Sequence, residues 1–110
     1  IPVHVRATGE RTIPLDIEQT LYRIMQGALS NVARHSFAKS VDISLVYNRE
    51  QIQLSIADDG IGFQPAEHSY GIGLKSIQER ADLINGTLEI ISQPGKGTRL
   101  IIRAPINSLI

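Results

Sequence analysis

Between Asp58 and Gly73 the chain reads DDGIGFQPAEHSYGIG, sixteen residues that hold two adjacent carboxylates, four glycines and one proline. Carboxylates accept hydrogen bonds from a ligand, and glycine lets backbone approach one closely. Loops longer than about 12 residues in a compact domain are usually functional or disordered, so a site is sought here first. Glycine-rich loops also invite two familiar nucleotide readings, and both fail. A dinucleotide fingerprint needs G-x-G-x-x-G, but Gly71-Ile72-Gly73 is followed by Ser76. A Walker A loop needs Gly-Lys-Ser/Thr with a glycine five residues earlier, whereas Gly95-Lys96 is followed by Gly97 and the earlier position is Ile90. Alone, GKGT reads as a tight hairpin turn. Two other features carry chemistry: Asn31, Arg34 and His35 near the end of a helical stretch, and Gly97-Thr98 at the start of a strand.

The elements that position these residues follow from periodicity. Residues 3 to 8 alternate like a half-buried strand, and Gly9-Glu10 supplies a turn. Asp16, after Pro14, is the expected cap of a helix whose apolar face is Ile17, Leu21, Ile24, Met25, Ala28, Leu29 and Val32, running to about Arg34. At about 100° per residue, Asn31 borders that stripe and His35 lies one turn on, so both can face one cleft. Val41 to Tyr47 and Ile52 to Ala57 alternate around Asn48-Arg49-Glu50 as an antiparallel hairpin. Leu74, Ile77, Ala81 and Ile84 mark a second helix, ended at Asn85-Gly86 by a left-handed cap. Two last strands, 87 to 93 and 98 to 104, flank Pro94-Gly95-Lys96-Gly97. Adjacent hairpins exclude a doubly wound parallel sheet and predict a mixed or antiparallel one with its helices on one face.

Composition narrows the function classes. The 110 residues, 42% of them hydrophobic, make one domain, and five aromatics with no tryptophan leave the core to isoleucine, leucine and valine. Eleven lysines and arginines cancel eleven aspartates and glutamates, so no overall field draws nucleic acid or an acidic membrane; neither is an expected partner. Without cysteine there is no disulfide, thiolate metal site or cysteine nucleophile, which fits the cytoplasm. No apolar run approaches the length of a membrane span, and the start at Ile1-Pro2, without an initiator methionine, is that expected of a fragment of a longer protein.

QGALSNVARH, DDGIGF, GIGLKSIQERADLINGTLEI and PGKGT, in that order, resemble the N, G1 and G2 boxes and terminal Gly-Thr of the ATP-binding catalytic domain of sensor histidine kinases. These kinases share a superfamily with the gyrase, Hsp90 and MutL ATPases. The resemblance covers all but residues 1 to 10 and 105 to 110. The run LYRIMQGALSNVARH resembles most the kinases that signal to response regulators with helix-turn-helix output. The fold so implied is α+β, a two-layer α/β sandwich (the Bergerat ATP-binding fold), over a single domain, residues 1 to 110.

The resemblance also implies roles. Asp58 accepts from the adenine amino group, while Asp59 fills a variable slot; alone, paired aspartates read as turn chemistry. Gly60 and Gly62 let the backbone turn beside the purine. Thr98 bonds the adenine edge or a water there. Asn31 offers an amide oxygen to Mg²⁺, and Arg34 and His35 face the phosphates. Gly71, Gly73 and Leu74 open the second helix, whose free N–H groups seat phosphate. Residues 63 to 71 form a lid over ATP.

One residue departs from the family pattern. Four positions before the N-box asparagine the family carries glutamate, thought to polarise the nucleophile or order its water and metal; here Gly27 stands there. Binding is expected to outlive chemistry. The phosphoacceptor histidine belongs to a separate dimerising hairpin, and His4, His35 and His68 all lack that helical context. The implied partners are therefore that dimerisation domain and a response regulator, and the isolated domain is expected to be a monomer. A nucleotide-binding regulatory module without transfer activity is the second reading, and an anti-sigma serine kinase on the same fold the third.

Overall fold

A computed structural model describes residues 2–9, 12–33, 38–61 and 72–106, with the side chains of 72 and 73 outside the description. The elements are β1 (Val3–Thr8), α1 (Leu15–Asn31), β2 (Val41–Tyr47), β3 (Gln51–Asp58), α2 (Ile72–Leu83), β4 (Thr87–Ser92) and β5 (Thr98–Pro105). The strands form one sheet in the order β1-β2-β3-β5-β4, with β1 parallel to β2 and the other neighbours antiparallel. This is the mixed α+β sheet read from the sequence. None of the helices described is long and apolar enough to cross a membrane.

Strand alternation decides the inner face. Ile43, Ile56 and Leu100 lie in register across β2, β3 and β5, as do Leu45, Leu54 and Ile102. Ile17, Leu21, Ile24 and Ala28 of α1 and Leu74, Ile77 and Ala81 of α2 join them in one core cluster, so both helices cover the same face. Isoleucine and leucine dominate this core, as an aromatic-poor chain requires. On the opposite face Arg103 links neighbouring strands, its Nη1 donating to Glu89 Oε1 at 3.1 Å and its Nε to Gln53 Oε1 at 3.1 Å.

The topology contains one departure from the usual handedness. β1-α1-β2 and β3-α2-β4 each join parallel strands, both step the same way along the sheet, and β3 runs opposite to β1. With both helices on one face, the two crossovers have opposite hands, although about 98% of such connections are right-handed. The same arrangement brings the C-terminus of α1, the end of β3, the start of α2, the end of β4 and the start of β5 to a single end of the sheet.

Some local expectations are corrected. β1 is exposed along its whole length rather than half-buried, with Val3 and Val5 44% and 64% exposed: it is an edge strand beyond the cover of α1. Asp16 is no cap. Pro14 takes the N-cap position without a side-chain bond, its carbonyl accepting from Glu18 N at 3.1 Å, and Asp16 lies within the first turn with Glu18, where acids favour the helix dipole. The α-helix ends at Asn31, although Val32 keeps a helical backbone and donates to the carbonyls of Ala28 and Leu29. The left-handed cap of α2 falls on Asn85, at φ 57°, while Gly86 is needed for space: a Cβ there would lie 2.9 Å from the Arg103 carbonyl oxygen.

Candidate functional site

Asp58, the last residue of β3, faces Thr98, the first of β5, in direct register. Its Oδ1 accepts from the backbone N–H of Gly60 at 2.8 Å, an Asx turn that folds the chain sharply back after the strand. The aspartate therefore performs turn chemistry at the sheet end, where the Gly60 and Thr98 backbone N–H groups both hold its carboxylate. Burial pushes its carboxyl pKa upward and the charge of Asp59 adds to this, against the backbone N–H groups of Gly60 and Thr98. Gly60 is buried and takes no left-handed φ.

The Pro94-Gly97 turn lies directly against this segment. Gly95 N–H donates to the carbonyl of Ile61, and Lys96 N to Gln93 O at 3.0 Å. Gly95 and Gly97 have φ of 79° and 78°, and a Cβ on Gly97 would run into the backbone carbonyl of Asp58. The glycines of PGKGT are thus required for the turn and for its contact with the DDGI segment. This juxtaposition of two motifs 36 residues apart at their leading residues, Asp58 and Pro94, was not legible from either alone.

Two polar residues outside the expected set brace the site. Asp59 accepts from Lys39 N at 2.7 Å, Ser40 N at 3.0 Å and Ser40 Oγ at 3.2 Å, tying the chain after β3 to the connection entering β2. Those bonds, the Ser40 N–H first, hold its pKa below the ordinary carboxylate value. Nothing local in the sequence announces them, because the partners are 19 and 20 residues away. Ser92 is buried at the end of β4, with its Oγ 3.1 Å from the Gly97 carbonyl and 2.8 Å from Thr98 Oγ1. A signal did exist here: Ser92 is polar at an inward position of the Leu88, Ile90, Ser92 alternation.

The structure thus brings together Asp58, Gly60 and Thr98. Asn31 is half-buried and ends α1 at the same end of the sheet, where α2 also begins. Leu74 is buried in the first turns of α2 and belongs to the core cluster, and Gly73 lies in that helix. Gly27 is in α1, one turn before Asn31, facing α2; a Cβ there would sit 3.8 Å from Arg80 Nη1 and 3.9 Å from Ile77 Cγ1. Arg34, His35, Gly62, Gly71 and the expected lid, 63 to 71, lie outside the described residues. A separate groove of about 920 Å³, lined by Gln19, Tyr22, Met25, Tyr47 and Leu54 among others, opens at the opposite end of the sheet. Among the described residues no cluster of three His, Cys, Asp or Glu side chains could hold a metal. The donor set fits a nucleotide better than a resident ion: an acceptor carboxylate beside close-approach backbone, and a single amide oxygen of the kind a phosphate-borne cation can use.

Comparison with known proteins is consistent with this geometry. The family model of the histidine kinase-, DNA gyrase B-, and HSP90-like ATPases matches residues 16–108. Sensor protein VraS of Staphylococcus saprophyticus is 44% identical over 101 residues, 89% of this chain and 28% of that protein. Sensor histidine kinase LiaS of Bacillus subtilis is 43% identical over 100 residues, 88% of this chain and 27% of that protein. The chain therefore spans little more than a quarter of these relatives. Among solved structures, the histidine kinase AdeS of Acinetobacter baumannii superposes with a TM-score of 0.78 at 18% identity, over 97% of this chain and 55% of that one. The ATP-binding domain of PrrB from Mycobacterium tuberculosis gives 0.73 at 25% identity, over 96% and 82%. With a family match over most of its length and relatives above 40% identity, the chain belongs to the histidine kinase-, DNA gyrase B- and HSP90-like ATPase family.

Proposed function

We propose that this chain is the ATP-binding catalytic domain of a two-component sensor histidine kinase, which holds Mg²⁺–ATP and presents the γ-phosphate to a histidine on a separate dimerisation domain. The observation that carries the reading is the register of Asp58 against Thr98, with the PGKGT turn folded onto the chain after Asp58. A carboxylate held in place by the Gly60 and Thr98 N–H groups still has lone pairs to accept from an amino group in the plane of a purine.

Each residue has a task within that reading. Asp58 and Thr98 recognise the base, and Gly60 gives backbone room beside it. Asn31 contributes an amide oxygen to Mg²⁺, which supplies charge neutralisation to the phosphates when bound. Arg34 and His35 donate to phosphate, and the start of α2, with Gly71 and Gly73, offers free N–H groups. Gly62, like Gly60, gives backbone room beside the purine, and residues 63 to 71 serve as the lid over ATP. Phosphoryl transfer of this kind rests on positioning and charge stabilisation, so Gly27 slows transfer without abolishing binding. The names of the relatives favour transfer to histidine over a serine kinase or a module without transfer activity.

The partners that follow are the phosphoacceptor hairpin of the same kinase and a response regulator with helix-turn-helix output, and the domain works in the cytoplasm as a monomer. Mixing the chain with the phosphoacceptor hairpin of its own kinase and γ-labelled ATP tests the proposal. Label on the hairpin histidine is expected. Nucleotide binding without any label on histidine, even with Gly27→Glu, overturns the transfer reading.

A further inference from the structure

Arg80 of α2 is half-buried and reaches toward α1 at a place where α1 has no side chain: its Nη1 lies 3.8 Å from where a Cβ on Gly27 would stand. Nothing nearby compensates its charge. One turn from Arg80 along α2 are Ser76, Ile77, Leu83 and Ile84, and one turn from Gly27 along α1 are Arg23, Ile24, Ser30 and Asn31, none of them acidic. The salt bridge among the described residues joins Arg103 to Glu89, and the Arg80 guanidinium makes neither an ion pair nor a hydrogen bond among them. Gly27 and Asn31 share one face of α1, about 6 Å apart along the helix. The charge of Arg80 therefore stands about one turn from the amide that the proposed function gives to Mg²⁺.

A fixed positive charge there acts with opposite signs on the two parts of the ligand, since it attracts phosphate oxygens and repels a divalent cation. Held half-buried between two helices, it is also screened less by salt than a charge on the open surface. We propose that Arg80 is a specificity-determining residue that lowers the dependence of nucleotide binding on Mg²⁺, supplying from α2 part of the phosphate neutralisation that the metal otherwise brings. The inference rests on the nucleotide reading of this site and deepens it, naming the metal-free nucleoside diphosphate as a ligand this chain holds.

The test is the ratio of the ADP dissociation constants in EDTA and in excess Mg²⁺, measured by calorimetry on the full chain. A unit charge acting over a little more than a helical turn, at an effective dielectric constant between those of protein and water, is a factor of about five in affinity. In Arg80→Gln the ratio is thus expected to rise about fivefold, mainly because binding in EDTA weakens. Arg80→Lys keeps the charge and is expected to hold the ratio near that of the original chain. A residue that only packs α2 against α1 would weaken both measurements together, so an unchanged ratio in Arg80→Gln overturns the proposal. Should the original chain bind ADP in neither buffer, the nucleotide reading itself is refuted, a separate outcome that takes this inference with it. If Arg80→Gln does not fold, the Arg80 Nε–Hε resonance of the original chain decides. A larger shift with ADP in EDTA than with ADP and Mg²⁺ supports the assignment, and an equal shift or none contradicts it.

Discussion

Replacing Gly27 by alanine and by glutamate separates two costs that this position carries. Gly27 lies well inside the 17-residue helix α1, where glycine is about 1 kcal/mol less favourable than alanine. The structure leaves room for a side chain, since the nearest atoms to a Cβ would be Arg80 Nη1 at 3.8 Å and Ile77 Cγ1 at 3.9 Å, ordinary contact distances. Gly27→Ala should therefore recover about 1 kcal/mol, which raises Tm by about 4 °C in a chain of this size. Gly27→Glu should recover most of that gain and also place a carboxylate one turn from Asn31. Its effect on chemistry is read in the longer kinase that carries the phosphoacceptor: transfer rises about a hundredfold for glutamate, the lower range for a positioned base, and stays flat for alanine. The Arg80 guanidinium is close enough to draw the new carboxylate aside, so Gly27→Glu with Arg80→Gln should gain at least as much as Gly27→Glu alone. A fall in Tm for Gly27→Ala would show that the α1–α2 contact has no such room. Equal transfer for alanine and glutamate at equal nucleotide affinity would refute the catalytic argument.

Asp58→Asn should lower ADP affinity at least about tenfold by calorimetry while circular dichroism stays unchanged, because a hydrogen bond to a charged acceptor is lost. Since burial raises the Asp58 pKa above 3.8, the folded chain holds that proton to higher pH than the unfolded chain. Its contribution to stability thus declines as pH rises from 3.8 through the folded value, while nucleotide affinity declines as pH falls through the same window. Asp59 has the opposite sign: its lowered pKa gives stability that is present above 3.8 and lost as pH falls through the folded value below it. Acid titration of Asp59→Asn should show a shallower loss there. Gly97→Ala should lower the urea midpoint by the equivalent of more than about 1 kcal/mol, since the residue must hold φ of 78° against the Asp58 carbonyl.

Periodicity made most of the fold legible. The Ile17, Leu21, Ile24, Ala28 stripe and the Ile52, Leu54, Ile56 alternation point to the same faces in sequence and structure. What it could not reveal depends on neighbours distant in sequence. β1 alternates like a half-buried strand but sits at an edge, and edge position is decided by strand order. The opposite hands of the two crossovers are likewise a property of the assembled sheet. Within the site, Asp58, Gly60 and Thr98 were visible through their motifs, whereas the bracing by Asp59 depends on backbone groups 19 and 20 residues away. Ser92 lies between these cases, because its inward polar position was readable but its hydroxyl partners were not.

Amide chemical-shift mapping of the chain with ADP tests the central claim most directly. The account predicts saturable shifts at one-to-one stoichiometry centred on residues 58 to 60, 97 to 98 and Asn31, with the titration midpoint moved to at least about tenfold higher ADP in Asp58→Asn. Shifts centred instead on the groove of Gln19, Tyr22 and Tyr47, or no shifts at millimolar ADP, would contradict it.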